Sequence, residues 1–230
     1  MKKYGSIVLF ASLLFWVCAF QPQSNVSASP ASKPATQPMI ADRADDVHPL
    51  KEGERAPTAI LHRPDGEAVD LSKSYPTKPT VLIFYRGGWC PYCNAHLGQI
   101  AKAEPELVKL GYQVVAISPD SPESLRSTED KNGYTYQLLS DSEMELAKAF
   151  GLAFRVDAAT IEKYHGFGID LEKASGQKHH LLPVPAVYIL DTKGVIRFAH
   201  WNPDYKKRIS SEDLLAAARK AIGQIGRAHV

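Results

Sequence analysis

Cysteine is scarce in this chain: three residues among 230, at positions 18, 90 and 93. A bridge between Cys90 and Cys93 spans two residues and closes almost no loop, so a stapling role has little to stabilise. An excess of charge is missing as well. Lys and Arg total 27 and Asp and Glu 25, a balance that gives no pull toward nucleic acid or an anionic membrane. There is no internal repeat and no dominant low-complexity block. The apolar run Ile7 to Phe20 is shorter than the roughly 20 residues a spanning helix needs, so no stable membrane insertion is expected. What remains, 44% hydrophobic and 23% charged residues, is close to the globular average. The length suits one domain with appendages.

The N-terminus has the three parts of a secretory signal: Lys2 and Lys3, the apolar run, then polar residues ending in the small Val26-Ser27-Ala28. Residues 1–28 are therefore expected to direct export, to a periplasm or beyond. An uncleaved signal would instead anchor the chain in the membrane. A lipoprotein at Cys18 is a third option, opposed by Val17 where a small residue is wanted. Cleavage removes Lys2, Lys3 and Cys18, leaving 25 basic and 25 acidic residues and only Cys90 and Cys93 as thiols. Residues 29–49, rich in Pro, Ala and Ser, read as a flexible linker, with a packed N-terminal arm as the alternative.

From Leu50 the pattern is globular, and residues 50–225 form one predicted domain. Thr80 to Tyr85 and Tyr112 to Ser118 are short apolar runs suited to strands buried on both faces. Pro91 to Leu110 is helical in composition, with Leu97, Ile100, Leu107 and Leu110 on one face and a kink expected at Pro105. Helices are expected from Ser121 to Lys131, Ser142 to Phe150 and Glu212 to Ile222, and a strand at Tyr136 to Leu139. Ala186 to Leu190 and Val195 to His200 flank the hairpin signal Asp191-Thr192-Lys193-Gly194. This order predicts an α/β fold with a central mixed β-sheet flanked by helices. Residues 152–183, weakly periodic, read as an insertion beside the site.

A strand running into Trp89-Cys90-Pro91-Tyr92-Cys93 at a helix start is a redox signal. Pro91 suits the first helical position, which makes Cys90 the N-cap and Cys93 the third helical residue. The Cys90 sulfur is then expected to accept a hydrogen bond from the Cys93 amide and to be the more exposed of the two. The helix N-terminus favours a thiolate by about 0.3–2 kcal/mol, and Arg86 adds to this. Trp89 is placed to shield the pair. Three other readings stand beside it: an idle disulfide, half of a zinc site completed by His96, His179 or His180, and inert core cysteines. No cofactor or metal is expected.

The segments LKEGERAP (50–57), FYRGGWCPYC (84–93), VVAISPDSPESL (114–125), LLSDSEMELAKAFGL (138–152) and LPVPAVYILDTKGVIRFAHWNPDY (182–205) resemble the alkyl hydroperoxide reductase and thiol-specific antioxidant branch of the thioredoxin superfamily, the peroxiredoxin-like proteins. The resemblance implies a thioredoxin-like fold. It also implies a cis Pro185 after Val184, facing the cysteines and leaving backbone groups free for a substrate; with Trp89, these two are the expected substrate-binding residues. The departures are specific. In the peroxiredoxin pattern Pro-x-x-x-Thr/Ser-x-x-Cys the attacking cysteine falls on Cys93, the Thr/Ser on Cys90 and the Pro on Arg86. The late arginine of such enzymes falls near Pro185, where there is none. The body thus looks peroxiredoxin-like and the site looks dithiol. The first expectation is thiol–disulfide exchange, with Cys90 attacking and Cys93 resolving. The alternative is peroxide reduction with Cys93 attacking first, and a binding module with a vestigial or metal-bound pair is a third class. The implied partners are protein or small-molecule disulfides, or peroxides, with an upstream thiol donor and no nucleic acid.

Overall fold

The computed structural model describes residues 40–227. The signal reading of residues 1–28, Cys18, and the linker up to residue 39 lie outside the described residues.

Strands β1 (Ile60–His62) and β2 (Ala68–Asp70) and helix α1 (Leu71–Ser74) lead into β3 (Thr80–Phe84), α2 (Pro91–Lys109), β4 (Gln113–Ser118), α3 (Pro122–Asn132), β5 (Gln137–Ser140) and α4 (Glu145–Ala149). Then come β6 (Ala153–Arg155), α5 (Ala158–Gly166), α6 (Leu171–Ser175), β7 (Leu181–Pro183), the hairpin β8 (Ala186–Leu190) and β9 (Ile196–Trp201), and α7 (Ser211–Arg227). Seven strands form one sheet in the order β2-β1-β5-β4-β3-β8-β9. Strands β3, β4 and β5 run parallel, while β8, β9 and β1 pair antiparallel with their neighbours. This mixed sheet flanked by helices is the expected thioredoxin-like architecture.

Side chains alternate across the sheet and divide the interior into two cores. Val81, Ile83 and Tyr85 of the β3 segment, Val114 and Ala116 of β4, and Val187 and Ile189 of β8 point to one side. There Leu97, Ile100 and Leu107 of α2 and Leu214, Ala218 and Ala221 of α7 cover them, and both cysteines join this core. Leu82, Phe84, Val115, Ile117, Ala186, Tyr188 and Leu190 point to the other side, against Leu146, Phe150 and Leu152. With both faces covered, the central strands carry near-continuous apolar runs, Val81 to Phe84, Val114 to Ile117 and Ala186 to Leu190. Each fully buried Leu or Ile contributes about 1.5–3 kcal/mol. Among the described residues no helix is long and apolar enough to cross a membrane.

One expectation changes. The linker from Ile40 onward is a packed arm. The Ala41 amide donates to Ala153 O (3.0 Å), its carbonyl accepts from Arg155 N (2.9 Å), and Leu50 N donates to Phe150 O (3.1 Å). Strand β6 pairs with β7 in a separate two-stranded sheet, and the arm satisfies its remaining edge. Residues 152–183, read as an insertion, have their own secondary structure. Strands β6 and β7 bracket α5 and α6 around a small core of Val156, Leu171 and Leu182. Asp157 and Asp170 cap the two helices, accepting from Thr160 N and Lys173 N. Its weak periodicity has a cause: α5 buries no residue fully, so no strong apolar stripe was required.

Candidate active site

The site begins where β3 ends. Gly87 has φ +144°, a backbone region that side-chain-bearing residues rarely adopt. A Cβ there would lie 2.3 Å from Trp89 Nε1, and one on Gly88 would lie 1.9 Å from Thr128 Oγ1. The two glycines therefore let the loop press against α3 and Trp89. Gly88 N donates to Asp120 Oδ2 (2.7 Å), and Asn94 Nδ2 donates to Gly88 O (2.7 Å). Asp120 is buried just past β4, and burial raises its carboxyl to about 7 against the opposing effect of the Gly88 amide and Ser118 hydroxyl.

Helix α2 then starts as expected, with Pro91 first and Cys90 as N-cap at φ −88°, ψ 113°. The capping hydrogen bond is not formed by the Cys90 side chain, although the Cys93 amide still favours its thiolate. Cys90 and Cys93 are unbridged and each 1% exposed, so Cys90 is not the more exposed of the two. The cause is a roof of aromatic residues. Cys90 lines a cleft of about 630 Å³ together with Arg86, Trp89, Tyr92, Tyr164 and Tyr205; Cys93 lies behind it, outside the lining. The distinction between the two sulfurs is therefore access through the cleft.

Their electrostatics diverge too. The Cys90 thiol is lowered to about 6, first by the Cys93 thiol hydrogen-bonding to it, then by the Cys93 amide and the charges of Arg86 and Arg208, against burial. Burial, then the Cys90 sulfur, pushes the Cys93 thiol well up. Arg86, 4% exposed, sits 4.1 Å from the Tyr205 ring centroid, 5.1 Å from Trp89 and 5.5 Å from Tyr164, and donates to the Tyr164 hydroxyl. Arg208, in the loop between β9 and α7, donates from Nη2 to Cys93 Sγ at 3.4 Å. Chemically this is a thiolate at neutral pH lining a cleft, with a second thiol behind it, an arrangement that passes between dithiol and disulfide.

The structure brings together Arg86, Trp89, Cys90, Pro91 and Cys93. Val184 is not with them. It is fully buried in the opposite core, in phase with Ala186 and Tyr188. Its amide donates to Leu152 O at 2.9 Å, so that donor is not free for a substrate. Pro185 is buried, and its bond to Val184 is trans rather than the expected cis; its carbonyl accepts from Asn202 N. His179 contacts Ser142 O and accepts from Leu181 N, and His180 meets Glu172. Among the described residues no three His, Cys, Asp or Glu side chains converge as a metal site requires. Sequence reasoning missed Asp120, Tyr164, Tyr205 and Arg208. Asp120 had a signal, its place at the carboxyl end of a buried parallel strand. Arg208 had none, since only tertiary folding brings it to Cys93.

Comparison with known proteins gives the family and the fold. Residues 53–199 match the model of the AhpC/TSA family. Peroxiredoxin Bcp of Escherichia coli is 32% identical over 106 residues, 46% of this chain and 67% of that protein. A putative peroxiredoxin of Mycobacterium tuberculosis is 33% identical over 102 residues, 44% of this chain and 64% of the relative, so the match leaves about a third of that protein uncovered. Among solved structures, reduced Prx3 of Vibrio vulnificus in complex with hydrogen peroxide superposes with a TM-score of 0.60 at 20% identity, covering 74% of this chain and 99% of that one. Peroxidoxin BcpB of M. tuberculosis gives 0.59 at 20%, covering 74% and 97%. The family match spans well over half of the chain and contains the loop, both cysteines and the sheet that carries them, and on that ground the chain belongs to the AhpC/TSA family.

Proposed function

We propose that the protein is a thiol peroxidase that reduces hydrogen or alkyl peroxides through Cys90 and Cys93, with electrons from an external thiol. The observation that carries this reading is the Cys90 thiol, lowered to about 6 on the floor of a cleft beside the Arg86 guanidinium. A thiolate attacks the outer peroxide oxygen, the O–O bond breaks, and an alcohol or water leaves as Cys90 becomes a sulfenic acid. Cys93 then condenses with it to a disulfide and water, and two equivalents of donor thiol restore the dithiol. Family membership and the relatives named peroxiredoxin support this chemistry over disulfide exchange with protein substrates. So does the Val184 amide, already bonded to Leu152 O and closed to an incoming strand.

The sulfur order proposed here is the reverse of the family register, which puts first attack on Cys93. Access and charge favour Cys90, because Cys93 lies outside the cleft lining and its thiol is raised. The test is peroxide consumption by purified protein with dithiothreitol, beside reduction of insulin disulfides. Peroxide turnover that is lost in Cys90→Ser supports the reading. Insulin reduction without peroxide turnover overturns it. Export remains part of the proposal, checked by whether mature protein begins near Ser29.

A further inference from the structure

Cys93 faces a difficulty in this cycle. It is buried, and its thiol is raised, yet it must deliver a sulfur lone pair to Cys90. Tyr85 and the Arg86 backbone face it from the end of β3, Cys90 from its own helix, Tyr134 from the loop before β5, and Arg208 from the loop after β9. Arg208 is the one cationic side chain within hydrogen-bond distance of the sulfur among the described residues, at 3.4 Å. Its Nε is buried without a partner, and among the described residues no carboxylate pairs with it. His96, one turn along α2, is kept neutral by burial, its pKa lowered to about 4, and Arg208 adds to that. A guanidinium stays protonated at any pH of interest, so it supplies a constant positive charge.

We propose that Arg208 is a catalytic residue for the Cys93 half of the cycle, stabilising the negative charge that develops on Cys93 Sγ both when it attacks Cys90 and when it is the leaving group. In the closing step the Cys93 thiol passes its proton to the departing sulfenic oxygen as its sulfur bonds to Cys90 Sγ and the S–O bond breaks, so that water leaves. In the reducing step a donor thiolate bonds to Cys90 Sγ and the S–S electron pair returns to Cys93. A second donor thiol then frees Cys90 and leaves as the oxidised donor disulfide. A lower-pKa sulfur leaves faster, so one cation serves both directions. The role rests on the peroxidase reading for its closing step only, since the leaving-group role applies to any disulfide cycle. Arg208 reaches the sulfur from a different chain segment than the arginine that the family pattern places near Pro185.

The test has two arms. In Cys90→Ser, which leaves Cys93 as the only thiol outside the N-terminal Cys18, the Cys93 pKa is read from the pH dependence of iodoacetamide labelling, mapped by mass spectrometry. Arg208→Met in that background should raise it by about one unit or more, as removal of an opposite charge at this range does. Arg208→Lys should restore part of the shift. With both cysteines present, disulfide closure after one equivalent of peroxide should slow about tenfold in Arg208→Met and less in Arg208→Lys. A Cys93 pKa that does not move in Arg208→Met, or that moves equally in Arg208→Lys, overturns the proposal. The titration uses no peroxide, so its failure is distinct from failure of the peroxidase reading. Arg208→Gln provides the neutral variant if Met does not fold.

Discussion

Cys90 and Cys93 are the same side chain two positions apart, and the fold drives their thiols in opposite directions. The largest cause at Cys90 is the hydrogen bond from the Cys93 thiol, ahead of the Arg86 charge. The alkylation midpoint of Cys90 should therefore lie near 6, and Cys93→Ala should raise it more than Arg86→Met does. The reverse ranking by rate-against-pH measurement would show that the guanidinium dominates. Stability follows the same shift. The folded Cys90 pKa lies below its unfolded value near 9.0, so the stabilisation is complete above about 9 and is lost as pH falls through about 6. Cys93 has the opposite sign, and its contribution is lost above its unfolded value as pH rises. Urea midpoints of reduced protein should rise between pH 6 and 9 relative to Cys90→Ser. Equal midpoints across that window would contradict the thiolate assignment. Gly87→Ala should cost about 1–3 kcal/mol from backbone strain and from collision with Trp89, read by urea unfolding.

At the level of elements, β7 and β8 show where sequence and structure part. Val184 looked like a substrate-facing residue beside the cysteines, but alternation along β8 puts it in the other core. Val184→Ala should cost about 1–3 kcal/mol in thermal or urea unfolding while leaving kcat/KM for peroxide nearly unchanged. A large loss of kcat/KM at full stability would return it to the site. Strands β3, β4 and β8 were legible because both faces are buried and the runs are unbroken. The start of α2 was legible because Pro91 and the cysteine spacing fix it. Strands β1, β2 and β6 were not, being three residues each with little or mixed burial. Helix α5 was only partly legible because it lies on the surface of the insertion, and its Tyr164 acts through Arg86, a partner 78 positions away.

Across the whole domain the cleft is assembled from three stretches: the loop before α2, the insertion that carries Tyr164, and the segment after β9 that carries Tyr205. Arg86 joins them by stacking near both tyrosines and Trp89. Opening one wall should expose the thiolate, so Tyr164→Ala is expected to speed iodoacetamide labelling of Cys90 several-fold at fixed thiolate fraction. Unchanged labelling would mean that the insertion does not control access. The central claim is that peroxide is attacked by Cys90 and the disulfide closed by Cys93. Its most direct test is a single turnover with one equivalent of hydrogen peroxide on Cys90→Ser and Cys93→Ser, quenched with dimedone and mapped by mass spectrometry. The expected result is a dimedone adduct on Cys90 in Cys93→Ser and none on Cys93 in Cys90→Ser; an adduct on Cys93 in Cys90→Ser, with Cys90 unlabelled in Cys93→Ser, would contradict it.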